Sequence, residues 1–129
     1  MSRKSKGISA ERELIHKFWG GGWAAFRCAA SGGIKYPVPD IIAGNNLRKL
    51  AIEVKATKDA FKYFDKREIQ DLNTFAQRFG AEPWVAIKVL RKGWKFLMLE
   101  DLKETKKNWV ADKKCLELKG LTFEELIKY

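Results

Sequence analysis

The stretch VPDIIAGNNLRKLAIEVKAT (residues 38–57) decides the fold. Two apolar runs, separated by the turn-forming Gly-Asn-Asn, predict two adjacent short strands. Alternation in the second run places Leu50, Ile52 and Val54 on one face of its strand and Ala51, Glu53 and Lys55 on the other. The chain therefore puts two acids, Asp40 and Glu53, and one lysine where it should be building its core.

Length and composition indicate one domain over residues 1–129, large enough to bury a core without disulfides or a structural metal. The two cysteines, Cys28 and Cys115, form no CxxC pair and are expected to be reduced thiols. A single histidine excludes a zinc enzyme. No apolar run approaches the roughly 20 residues that span a bilayer, and no signal core follows the first residues. An intracellular, cytoplasmic location is expected.

Lys and Arg outnumber Asp and Glu by 26 to 16, a net charge of +10. Such an excess favours binding to polyphosphates, although an anionic membrane surface or a merely solvated basic face would also suit it. The first residues, MSRKSKG (1–7), read as a mobile basic arm. Candidate phosphate contacts are Lys4, Lys6, Lys35, Lys58, Lys62, Lys66 and Arg67.

Local signals predict the order α-β-β-β-α-β-β-α, a central mixed sheet flanked by helices in an α/β fold. A first helix is expected from an N-cap at Ser9 to about Trp19, and a second follows the capping-box pair Asp65 and Glu68 and ends at Gly80. Segment 23–30 is expected to be a strand, 31–39 a loop, KDAFKYF (58–64) a basic-aromatic connection, 83–100 a hairpin, and the end after Thr122 a short helix.

Glu11 is the second anomaly. At about 100° per residue it lies in the same arc of the first helix as Leu14, Ile15 and Phe18, and so points at the core. An unpaired buried carboxylate is costly. The alternative is that Glu11, close to the helix start, reaches solvent or stabilises the helix dipole.

Neighbouring strands bring Asp40 and Glu53 to one face, and Glu11 can approach them from the helix. Two carboxylates about 5 Å apart repel by roughly 3 kcal/mol at an effective dielectric near 20. One lysine cannot neutralise three acids, whereas a hard divalent cation can, and oxygen ligands favour Mg²⁺ or Mn²⁺. Such a site suits phosphodiester hydrolysis, with Lys55 orienting water or stabilising the transition state. The alternative is a surface strand edge with an ordinary ion pair.

These residues carry a resemblance. Pro39-Asp40, followed by residues 41–52 and then by Glu53-Val54-Lys55, looks like the PD-(D/E)xK nuclease signature. The ordered segments AERELI, FRCAASG, PDIIAG, AIEVKAT and FAQRFG resemble the archaeal Holliday junction resolvases, over about residues 11–100. The resemblance implies a restriction-endonuclease-like nuclease fold. It also implies metal ligands at Glu11, Asp40 and Glu53, with Lys55 as transition-state stabiliser.

Three more roles follow from the resemblance alone. Arg12 and Arg27 match arginines that contact phosphate near the scissile bond, and Ser31 matches a serine near the active site. A homodimer is implied. The apolar surplus makes Trp84, Trp94, Phe96, Met98 and Trp109 interface candidates, with ordinary core as the alternative for each, while Phe75 and Phe79 suit either the core or the interface.

The expected function is a metal-dependent endodeoxyribonuclease that resolves four-way DNA junctions by paired nicks during recombination and repair. Alternatives are a nuclease of this fold acting on another DNA structure, a ribonuclease, or a non-catalytic basic DNA-binding module. The resemblance leaves open contacts with other recombination or replication proteins, which no motif identifies.

Overall fold

The computed structural model describes residues 3–28 and 35–128, with side chains from residue 7 onward. In chain order the elements are α1 Arg3–Gly20, β1 Ala24–Arg27, β2 Ile41–Gly44, β3 Lys49–Thr57, β4 Lys62–Asp65, α2 Lys66–Phe79, β5 Glu82–Val89, β6 Gly93–Met98, a 3₁₀ turn Leu99–Asp101, β7 Lys103–Glu104, β8 Asn108–Ala111, α3 Lys113–Lys119 and α4 Phe123–Ile127. None of the helices in these ranges is long and apolar enough to cross a membrane.

The main sheet is mixed, which confirms the predicted fold class. Its five strands run in the order β1-β2-β3-β5-β6. Only β3 and β5 are parallel, because α2 carries the chain back across the sheet between them, and the other neighbours are antiparallel. A second sheet of three strands has the order β4-β8-β7.

The alternation of β3 separates two cores, as the sequence predicted. Leu50, Ile52 and Val54 pack with α1 and α4 on one face of the main sheet. Ala51, on the opposite face, belongs to a second core that includes α2 and the small sheet. Glu53 and Lys55 share the side of Ala51, so they point towards α2 rather than α1.

Helix α1 begins at Arg3, so the predicted N-cap at Ser9 is wrong. Arg and Lys before Ser9 are good helix formers, and they extend the helix by further turns. Backbone helix therefore occupies part of the segment expected to be a mobile arm. The helix ends at Gly20, and Gly22 then adopts φ +86°, which a residue without Cβ tolerates.

Several aromatic residues expected at an interface are in the core. Trp84, Trp94 and Phe96 are 5%, 7% and 0% exposed, so the expectation that they mark an interface is wrong. They lie on β5 and β6, which α1 and α4 cover. Met98, at the end of β6, is 42% exposed, and Trp109 is half-buried.

The segment predicted as a basic-aromatic connection contains strand β4, which pairs with β8 far along the chain. Local pattern did not reveal β4, β7, β8 or α3, because the two-residue β7 and the four-residue β4 and β8 are stabilised by non-local pairing.

The capping box of α2 is confirmed: the Asp65 amide donates to Glu68 Oε1 at 3.2 Å. Gly80 ends α2 at φ 81°, as predicted.

Candidate active site

Asp40 and Glu53 face each other where β2 begins. The register pairs Ile41 with Ile52, which places the preceding residue, Asp40, opposite Glu53. The amide of Asp40 donates to the carbonyl of Ile52 at 3.1 Å, and the amide of Val54 donates to Asp40 Oδ2 at 2.8 Å. Two backbone bonds therefore hold the Asp40 carboxylate beside β3.

Glu53 is a half-buried acid beside another acid. Burial is the largest cause that raises its pKa, to about 9, and the charge of Asp40 and the bond between the two carboxyl groups raise it further. Lys55 opposes this shift but does not overcome it. In the metal-free protein at neutral pH, the pair therefore retains a proton on Glu53.

Lys55 is held by an acid that the sequence analysis assigned only to helix capping. Its Nζ lies 2.6 Å from Glu68 Oε2, and both side chains are about one quarter exposed, at 27% and 28%. Burial is the largest single influence on the pKa of Lys55 and would lower it, but the bond to Glu68 and the charges of Glu68, Glu53 and Asp40 together raise it. Burial is likewise the largest influence on Glu68 and would raise its pKa, but the bond and charge of Lys55, with smaller hydrogen-bond contributions, together lower it. Glu68 thus joins the start of α2 to β3.

Glu11 lies near this group but is engaged elsewhere. Its side chain is only 13% exposed, as its helical phase predicted, and its Oε2 accepts a hydrogen bond from Arg27 Nε at 2.6 Å. Burial raises the pKa of Glu11, and the negative charge of Asp40 raises it further. The hydrogen bond from Arg27 lowers it but does not cancel this increase. Glu11 is therefore within electrostatic range of Asp40.

The three expected metal ligands do not form one compact cluster. Over the described ranges, no three Asp, Glu, His or Cys side chains converge closely enough to hold a metal ion. The physical reason is the sheet: α1 packs on the face of Leu50, whereas Glu53 points to the opposite face. In addition, the carboxylate of Glu11 is already paired with Arg27 in a salt bridge.

Cys28 forms part of the wall of this site, which the sequence analysis did not foresee. Its amide donates to the carbonyl of Asp40 at 2.9 Å, and burial together with the charges of Asp40 and Glu11 raises the pKa of its thiol. The signal was weak, since a single cysteine 12 residues before Asp40 carries no spacing pattern. Its thiol is free, as expected.

The basic candidates are distributed unevenly. Arg12, Lys35, Lys58 and Arg67 are exposed, and Lys62 is half-buried. Lys66 is bonded to Glu104 and lies over the ring of Trp109, so its charge is already matched. Arg27 lies in the site beside Glu11. Ser31 and the side chains of Lys4 and Lys6 lie outside the described residues.

Comparison with known proteins places this arrangement in a family. The model of the family described as archaeal Holliday junction resolvase (Hjc) matches residues 2–129. The chain is 45% identical over 123 residues to the crossover junction endodeoxyribonuclease Hjc of Archaeoglobus fulgidus, covering 95% of this chain and 90% of that protein. It is 36% identical over 132 residues to the enzyme of that name from Sulfolobus acidocaldarius, covering 100% and 91%.

The fold agrees with the sequence. The solved structure of Archaeoglobus fulgidus Hjc, a Holliday junction resolvase from an archaeal hyperthermophile, superposes with a TM-score of 0.89 at 42% identity. The match covers 93% of this chain and 98% of that structure. The resemblance read from the motifs is confirmed, and with it the expected enzyme class. The chain belongs to the archaeal Holliday junction resolvase family.

Proposed function

We propose that this protein cuts four-way DNA junctions by hydrolysing one phosphodiester in each of two opposed strands. The observation that carries the proposal is the facing pair of Asp40 and Glu53 beside the ammonium of Lys55. This pair lies at one end of the mixed sheet of a chain with a net charge of +10, in a family of junction resolvases. Negative charge concentrated on a basic protein is typical of a cation site that acts on phosphate.

The donor set fits a divalent cation. Asp40 and Glu53 offer oxygen ligands, and the proton that Glu53 retains marks a position where added positive charge is favourable. We infer that Asp40 and Glu53 hold Mg²⁺, or Mn²⁺ in its place, and that Glu11 joins them as third ligand only when its carboxylate leaves Arg27. A bound ion of this kind polarises a phosphodiester and lowers the pKa of water.

Lys55 supplies positive charge from the protein itself. The bond to Glu68 keeps its amine protonated and fixes its position on the face of Glu53. An ammonium held there stabilises negative charge that develops on a phosphate oxygen during bond cleavage. Arg27 stands beside Glu11 and is 41% exposed, which suits contact with a neighbouring phosphate.

DNA docking is expected to depend on phosphates rather than on base identity. The exposed cations Arg12, Lys35, Lys58 and Arg67, together with half-buried Lys62, are the best placed of the candidates. Affinity should therefore fall steeply when salt is raised from about 50 to 200 mM. A flat salt response would contradict this mode of docking.

We infer a homodimer, because two cuts in opposed strands of a two-fold substrate call for two symmetric active sites. The most apolar exposed feature of α2 is the stacked ring pair of Phe75 and Phe79, whose centroids lie 5.2 Å apart, with Phe79 45% exposed. Met98 lines a groove of about 700 Å³ beside the same helix. Phe79→Glu should produce monomers in sedimentation velocity, and an unchanged dimer would place the interface elsewhere.

One assay tests the function. Purified protein is incubated with a synthetic four-way junction, the matching linear duplex and single strands, each with Mg²⁺ and with EDTA. Paired nicks are expected on the junction alone, and EDTA should abolish them. Comparable cutting of linear duplex would indicate a nuclease of this fold with another target, and binding without cutting would indicate a DNA-binding module.

A further inference from the structure

Two contacting aromatic residues are exposed at the edge strand of the small sheet, Tyr63 within β4 and Phe61 just before it. Phe61 and Tyr63 are 39% and 56% exposed, and their rings meet edge to face with centroids 4.8 Å apart at 79°. Phe64, the next residue of β4, is fully buried on the opposite face of the strand and anchors β4 to the core. Solvent-exposed aromatic surface of this kind gains free energy when a flat apolar partner covers it.

This aromatic pair lies close to Lys55. Strand β3 continues from Lys55 to Thr57, whose hydroxyl donates to the carbonyl of Phe61 at 3.3 Å. At about 3.3 Å per strand residue, and with the Thr57 side chain and its hydrogen bond included, the backbone of Phe61 is within about 12 Å of the backbone of Lys55. That distance corresponds to between about three and four nucleotide steps along a DNA strand. At the other end of β4, α2 begins and provides Glu68, the partner of Lys55.

The charges around the pair suit DNA. Lys58 precedes Phe61 and is exposed, and Lys62 separates the two aromatic residues. Lys103 of β7 shares the outer face, because Tyr63 and Lys103 both pair with Val110 of β8. Asp59 and Asp65 are the acids of this segment, so Lys58, Lys62 and Lys103 exceed them by one charge.

We propose that Phe61 and Tyr63 stack an unpaired or unstacked nucleobase of the substrate near the scissile phosphate. The inference rests on the proposed DNA substrate and extends it from phosphate contacts to contact with a base. Bases stack on aromatic side chains without sequence preference, because every base presents a π-face. A base is available for this only where stacking in the duplex is interrupted, as at the point where strands exchange. The pair thereby favours junctions over continuous duplex.

The test compares Phe61→Leu/Tyr63→Leu, which keeps apolar bulk without rings, with Tyr63→Phe, which keeps both rings. Leu47→Ala, at an 85% exposed residue of the β2–β3 turn, is the control for a general surface effect. Affinities for the junction and for linear duplex are measured in EDTA, with 2-aminopurine placed singly within three nucleotides of the cut. Circular dichroism melting verifies that each variant is folded.

The double variant should bind the junction about 5- to 100-fold more weakly than the unmodified protein, with little change for linear duplex. The affinity of the double variant should fall with salt as steeply as that of the unmodified protein, because no phosphate contact is lost. The unmodified protein and Tyr63→Phe should quench 2-aminopurine at one position, and the double variant should not. Leu47→Ala should behave as the unmodified protein does.

Three results would overturn the proposal: equal junction affinity in the double variant, an equal loss on linear duplex, or a shift from dimer to monomer. The last would mean that these rings contact a second copy of the chain rather than DNA. Failure of this stacking proposal can be told apart from failure of the proposed function. If the proposed function were wrong, the unmodified protein itself would not cut the junction in Mg²⁺.

Discussion

Two charged clusters of opposite character lie along β3, one before its first residue and one at its middle. Before the first residue, Arg48 donates to both oxygens of Glu82, at 2.8 and 2.9 Å, and to the carbonyl of Leu126 at 2.7 Å. The bonds from Arg48 are the largest cause that lowers the pKa of Glu82. At the middle of the strand, burial and Asp40 raise the pKa of Glu53. One cluster is balanced, whereas the other has an excess of acid.

This difference distinguishes an ion pair that stabilises the fold from one that awaits a cation. Arg48 matches Glu82 and also lies over the ring of Trp23, so each partner's charge is compensated by the other. Around Lys55, a single ammonium faces Asp40, Glu53 and Glu68. A surplus of buried carboxylate destabilises the apo fold, and a strongly perturbed acid of this kind is typical of a functional site.

The largest effect should come from neutralising one acid of the unbalanced cluster. Asp40→Asn or Glu53→Gln should lower the single-turnover rate of junction cleavage at least about 100-fold, because a charged oxygen ligand is lost. Stability in EDTA should change little in Glu53→Gln, since Glu53 is already uncharged at neutral pH. Glu82→Gln is the matched control at the balanced cluster: cleavage should persist while stability falls. Cleavage at the normal rate by Glu53→Gln would remove the role assigned to this acid.

A smaller effect, on stability alone, is expected from the balanced cluster. Arg48→Met leaves Glu82 and the carbonyl of Leu126 without their donor and should lower the free energy of unfolding by about 2 kcal/mol. The measurement is urea unfolding, with cleavage measured below the transition. Loss of cleavage at unchanged stability would contradict a purely structural role for Arg48.

Glu68→Gln should release Lys55 and lower the cleavage rate about 10-fold at saturating junction, with KM little changed. The glutamine oxygen can still accept the Asp65 amide, so the start of α2 is retained. Glu104→Gln, which breaks the comparable pair with Lys66, is the control and should cleave normally. An equal loss in both variants would show that the effect is general rather than due to Lys55.

A gradual change of stability with pH is expected in the absence of metal. Folded protein retains a proton on Glu53 up to about pH 9, whereas the unfolded chain releases it above 4.5. Unfolding therefore releases a proton in this range, and rising pH destabilises the fold by at most about 1.4 kcal/mol per pH unit. Glu53→Gln should remove this slope in urea unfolding between pH 6 and 9.

The balanced cluster should respond to pH in the opposite sense. Because the folded-state pKa of Glu82 is lowered, its contribution to stability is present above its ordinary pKa and is lost on acidification. Glu82→Gln should therefore change stability near neutral pH but not at strongly acidic pH. Identical pH profiles for Glu53→Gln and Glu82→Gln would remove the distinction between the two clusters.

Much of the fold was predictable because its signals are local. Alternation in residues 50–55 divides the faces of β3, and the Asp65–Glu68 and Thr122–Glu125 capping boxes begin helices where expected. The strands β4 and β8 were missed, because their pairing joins segments far apart in the chain. The start of α1 was misplaced, since an N-cap residue such as Ser9 is also tolerated within a helix.

Part of the site was predictable for the same reason. Asp40, Glu53 and Lys55 share one face through strand period and register, which short-range patterns encode. The bond between Lys55 and Glu68 depends on how α2 packs against β3, and no spacing rule reports that packing. The pairing of Glu11 with Arg27 likewise depends on the approach of α1 to β1.

The sequence by itself determined which residues alternate on β3, where α1 and α2 stop, the excess of positive charge, and the family. These depend on backbone periodicity, on capping and on composition, all of which act over a few residues. Only the tertiary structure decided which acids are compensated. Compensation depends on through-space distance and burial: Arg48 meets Glu82 and Arg27 meets Glu11, while Glu53 is left beside Asp40 with its proton.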